Sequence, residues 1–163
     1  MAVSLFLSEK EATAVRVASD LVHLRSEQRQ QFIDITELVR ERVRRARVSG
    51  GWVNVQARHT TTAVAVNENE PLLLDDLGNL LENWAPMDRT YRHNDLEARL
   101  FHGPTEERPN GHAHARALVL GASETLNIVD GELQLGKWQR IFLVELDGVR
   151  DRGVSIVVMG TPS

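Results

Sequence analysis

From Trp52 to His59 the chain alternates strictly. Val53, Val55, Ala57 and His59 fall on one face of an extended strand, and Asn54, Gln56 and Arg58 on the other. That period demands a sheet with one buried face and excludes a helix here. The strand runs into His59-Thr60-Thr61-Thr62, and a second apolar stretch, Ala63 to Val66, ends in Asn67-Glu68. A histidine that continues an apolar face is ordinarily a satisfied core residue. Here three hydroxyls follow it at once, and an amide and a carboxylate close the segment, which makes it a candidate site wall.

The rest of the chain supplies more strands and a few helices. Val15 to Leu24 and Phe32 to Ile35 are short strands across a polar bend, which suggests a hairpin. Thr36 offers a helix N-cap, with an apolar stripe of Leu38, Val39, Val43 and Ala46, and Ser49-Gly50-Gly51 would end that helix. Pro71 suits the first turn of a second helix whose buried stripe would be Leu73, Leu77, Leu80, Leu81 and Trp84. Residues 87–111 are charged and irregular, and a connection of that length tends to carry function. The small residues from Ala113 to Leu120 predict a closely packed helix stopped by Gly121. The last third is β, with turns at Asp130-Gly131 and Asp147-Gly148. The pattern predicts one domain of strands and a few helices over residues 14–163, preceded by an extension over 1–13.

At 163 residues the chain is long enough for such a core. Its net charge of -4 argues against a nucleic-acid binder, so the arginines from Arg40 to Arg47 are taken as a solvated helix face. With no cysteine, thiolate metal sites and disulfides are excluded. No apolar run approaches the ~20 residues that span a bilayer, and a cytoplasmic protein is expected.

Four of the six histidines lie between His93 and His114. Three neutral imidazoles with water in the fourth position make a common open zinc site. On a helix His112 and His114 point different ways, so only one of them can face a given site. Glu68 is either a general base or the cap of the following helix. Arg150 and Arg152, beside the Asp147-Gly148 turn, suit phosphate or carboxylate recognition, although a salt-bridged hairpin tip is the commoner use.

Several ordered pieces match one family. They are His59-Thr60-Thr61, Asn67-Glu68, Asp76, Pro86, Tyr91-Arg92-His93, Ala113-His114 with Gly121, the run Gly131 to Gln139, and Glu145 followed by Asp147 to Arg152. The chain resembles the YjbQ-like proteins, small bacterial and archaeal domains associated with a secondary thiamine-phosphate synthase activity. The resemblance implies an α+β domain with a β-sandwich-like antiparallel core, a homotrimer, and a metal site of His59, His93 and His114, with Glu68 close by and His112 without a counterpart. Thr60, Thr61, Asn67, Arg150 and Arg152 are the expected substrate contacts. The implied substrates are small phosphorylated metabolites, a pyrimidine diphosphate and a thiazole phosphate. Three imidazoles favour zinc, whereas a diphosphate substrate brings magnesium, which prefers oxygen ligands. Two other functions fit the same residues: a zinc hydrolase with Glu68 as general base, and a non-enzymatic metal- or metabolite-binding trimer.

Overall fold

The computed structural model describes residues 14–98 and 108–163. The expected extension over residues 1–13 and His102 lie outside them. Eight strands and three helices form one α+β domain: β1 (Arg16–Arg25), β2 (Gln31–Asp34), α1 (Thr36–Ala46), β3 (Val48–Ala57), β4 (Thr62–Glu68), α2 (Pro71–Trp84), α3 (Gly111–Leu120), β5 (Ser123–Val129), β6 (Glu132–Leu133), β7 (Gln139–Glu145) and β8 (Asp151–Pro162). Among the described residues of the long connection before α3, Arg92–Asn94 forms a 3₁₀ turn.

Two antiparallel sheets share the core. One has the order β1-β8-β3-β5-β6 and the other β2-β7-β4. β7 is the central strand of the smaller sheet, and its alternation serves two cores. Ile141 and Leu143 join Val53, Val55, Val154, Ile156 and the α1 residues Val39 and Val43 in the main one. Phe142 and Val144 face the other way, against Ala113 and Ala117 of α3. Each such side chain contributes roughly 1.5–3 kcal/mol of burial, so β7 has no face left for solvent.

The expected first hairpin does not form. β1 pairs with β8 from Arg16↔Gly160 to Arg25↔Asp151, whereas β2 pairs with β7 in the other sheet. Ser26 explains the divergence. It is fully buried, its Oγ donates to the Gly148 carbonyl, and it accepts from the Arg150 N–H. The polar bend is thus tied to the β7–β8 connection. Thr36 is not a cap either; it is the first helical residue. The Asp34 carboxylate accepts its N–H, while its hydroxyl accepts from the Ile141 N–H. Ser49, Gly50 and Gly51 belong to β3, and α1 ends instead at Arg47 in the left-handed region.

Gly51 has φ +152 and lies opposite Gly160, where a Cβ would penetrate the Met159 carbonyl oxygen. Gly51→Ala is expected to cost more than ~1 kcal/mol, read as a lower denaturation midpoint in urea at unchanged slope.

The α2 stripe is apolar as expected but not buried. Leu80 is 62% and Trp84 50% exposed, and no residue of α2 is buried. Val119 of α3 lines the same apolar groove as Leu80 and Trp84. No helix among the described residues is long and apolar enough to cross a membrane.

Candidate functional site

The expected site residues occupy three places. At the start of β4, Thr61 and Thr62 are buried, and the Thr62 hydroxyl donates to the His59 carbonyl. Thr61 Oγ1 accepts from Arg152, which is 3% exposed. Arg152 in turn grips Glu145, the last residue of β7, through Nε and Nη2 at 2.6 Å each. Glu145 is completely buried, and its second role is to hold the loop that follows. Its Oε1 accepts the N–H groups of Leu146, Asp147 and Gly148, and its Oε2 accepts from Ser26 Oγ. Burial alone would raise this carboxyl, but Arg152 and the loop N–H groups outweigh it, and its pKa lies below the ordinary value.

His59 is attached to the same corner. Its Nε2 accepts the Gly153 N–H at 2.8 Å, which fixes the proton of the neutral ring on Nδ1. Burial, followed by the cationic Arg152, keeps the imidazole below its usual pKa. Thr60 is exposed beside it.

The second place is the start of α3. The His93 and His114 rings meet edge to face, with centroids 4.5 Å apart. The helix splits His112 from His114 as the spacing implied. His114 meets His93, whereas His112 is 5% exposed and lies on the floor of a separate cleft with Arg116 and Leu146. Burial first, then Arg116, lowers the His112 pKa, against the opposing charge of Asp147. Asp147 is buried between two arginines. Arg150 Nη2 stands 2.8 Å from its Oδ2 as an ion pair whose angles do not make a hydrogen bond, and Arg108 Nε stands 3.8 Å from Oδ1.

The third place is the far end of β4. Glu68 pairs in register with Gln139, whereas Thr62 pairs with Glu145. Six residues of strand separate Glu68 from Thr62, about 20 Å at roughly 3.3 Å per residue. Glu68 does not cap α2; Glu70 does, accepting the N–H groups of Leu72 and Leu73. Asn67 is exposed, and its side chain accepts the Glu68 N–H.

Among the described residues no three His, Asp or Glu side chains come together to hold a metal ion. His93 and His114 fit as two imidazole ligands, since both rings converge and His93 Nε2 is buried with no hydrogen-bond partner. Within this chain His59 does not complete that set, and its Nε2 lone pair is used by Gly153.

Five buried side-chain polar atoms among the described residues lack a hydrogen-bond partner, and four belong to His93, His112, Asp147 and Arg150. Such atoms are costly in a folded core and mark functional sites when they gather. Sequence reasoning set His112 aside in favour of His114, named Asp147 only within a turn and the family match, and gave Arg108 no role. Ser26 carried no signal at all, because its role arises only from the crossing of two sheets.

The UPF0047 protein YjbQ-like family model matches residues 20–161. A UPF0047 protein of Methanothermobacter thermautotrophicus is 38% identical over 139 residues, which is 85% of this chain and 90% of that one. A UPF0047 protein of Bacillus subtilis is 27% identical over 140 residues, covering 85% and 97%. Among solved structures, a YbjQ-like protein of unknown function from Sulfolobus solfataricus superposes with a TM-score of 0.82 at 29% identity, covering 90% of this chain and 99% of that one.

Proposed function

The chain belongs to the YjbQ-like UPF0047 family, and from that premise we propose that it is an enzyme acting on small phosphorylated metabolites at the start of α3. The unpartnered buried atoms of His93, Asp147 and Arg150 carry this proposal. Two imidazoles in contact supply proton-transfer or metal-ligand chemistry. Arg150 and Arg108 supply cationic groups for a phosphate, with Asp147 holding both near the loop. The buried Glu145–Arg152 pair, with Thr61, keeps that loop rigid, so the cationic groups are preorganised.

The finer proposal is secondary thiamine-phosphate synthesis. The thiazole phosphate nitrogen attacks the methylene carbon of the pyrimidine diphosphate, a C–N bond forms, and the C–O bond to diphosphate breaks with diphosphate taking the electron pair. A divalent cation, zinc on His93 and His114 or magnesium carried by the diphosphate, would neutralise charge on that leaving group. Incubating the full chain with both precursors and a divalent cation is expected to yield thiamine phosphate. No product with any divalent cation would remove this finer proposal. A hydrolase with Glu68 as base is less favoured, because Glu68 and His59 stand at opposite ends of β4.

We also propose that the chain assembles as a homotrimer in the cytoplasm. The apolar surface of Leu80, Trp84 and Val119 is the support for assembly, since soluble monomers rarely leave such a patch open. Leu80→Glu with Val119→Glu is expected to turn a trimer into single chains in sedimentation velocity. A wild-type chain that sediments as a monomer would dismiss the assembly.

A further inference from the structure

A cleft of about 700 Å³ opens beside α2, and neither His93 nor His114 lines it. Its size falls in the range of roughly 300–1,000 Å³ typical of small-molecule sites. One wall is a single face of α2, because Asp75, Asn79 and Glu82 recur at spacings of four and three residues. The opposite wall is the polar bend before β2, with Arg29 and Gln30. Gly78 lets Gln30 lie against the helix, since a Cβ there would strike its side-chain amide.

The buried charges of this cleft are already committed. Arg116, 2% exposed, donates to the Ala85 carbonyl, to Gln30 Oε1 and to Glu82. Glu82 also accepts the Met87 N–H. These two charges offset each other and brace α2 against α3.

Two charges remain, one on each wall. Arg29 donates only to the Met87 sulfur, a weak acceptor, and has no carboxylate partner among the described residues. Asp75 on α2 forms no ion pair among the described residues either. The carboxamides of Gln28 and Asn79 line the same cleft, with Phe32 and Leu74 as its apolar lining. An inorganic anion would meet Arg29 but also face Asp75 and Glu82, so a purely anionic ligand is disfavoured. Opposite charges on facing walls suit a molecule that carries both.

We infer that this cleft binds a small zwitterion of the amino-acid type, its carboxylate on Arg29, its ammonium on Asp75 and a polar side chain among the carboxamides. This site does not depend on the proposed catalytic centre. Calorimetric titration of the full chain with L-glutamine is the test. Saturable binding is expected, weakened about tenfold or more by Arg29→Gln and by Asp75→Asn, the cost of one charge-assisted hydrogen bond each. N-acetyl-L-glutamine, which lacks the ammonium, is expected to lose as much. Both substitutions are at exposed positions, and an unchanged thermal midpoint confirms that the variants fold. His93→Ala is expected to bind L-glutamine like the parent whatever happens to turnover. No saturable binding, binding indifferent to both charge substitutions, or binding lost with His93→Ala would each overturn the inference.

Discussion

Replacing Glu145 with alanine is expected to cost about 3–5 kcal/mol of folding free energy, the cost of leaving a buried charge without its partner. The substitution strands the buried Arg152 guanidinium and frees three loop N–H groups together with Ser26 Oγ. Arg152→Ala should cost a similar amount, because it leaves a completely buried carboxylate without its cation. The double variant should lose much less than the sum, since the second substitution removes the charge stranded by the first. Urea denaturation of the four proteins measures this cycle, and strict additivity would mean that the pair is not a unit.

The same pair sets a pH dependence. The folded pKa of Glu145 lies below its unfolded value, so the unfolded chain binds the extra proton between the two. The stabilisation is therefore full above the unfolded value of about 4.3 and is lost as the pH falls through the lower folded value. A urea midpoint that drops steeply below pH ~4 in the parent, but less so in the double variant, is the expected record.

His93→Ala and His114→Ala are each expected to lower turnover by about 10²–10⁴-fold, the range for losing a proton-transfer group. The two rings are in contact and act together, so the double variant should fall little further than either single one. His23→Ala, on exposed β1, serves as the control and should leave the rate unchanged. A rate indifferent to both site substitutions would move the chemistry elsewhere in the molecule.

The sheet face at Val53, Val55 and Ala57 was legible because alternation and burial are the same information there. The helical separation of His112 from His114 was legible for a similar reason, as spacing alone decides it. The two Asp-Gly turns mark the limit of such reasoning. Asp130-Gly131 closes the β5–β6 hairpin, with Ile128 opposite Leu133. Asp147-Gly148 has the same local chemistry, yet it carries the chain from one sheet to the other. The difference lies in Glu145, whose carboxylate accepts the N–H groups of the loop, and only the folded chain shows that. For α2 the period told which face is apolar but not what covers it. The sequence resemblance named His59, His93 and His114, and the fold contains the contact of the last two. It carried no sign of the unpartnered His112 in the neighbouring cleft.

The most direct test of the site is zinc-edge anomalous diffraction from crystals of the full chain grown with zinc. A peak within bonding distance of His93 and His114, about 2.0–2.1 Å from an imidazole nitrogen of each, is the expected result. A peak at His59 alone, or no ordered zinc on any histidine, would contradict the placement of the metal centre at the start of α3.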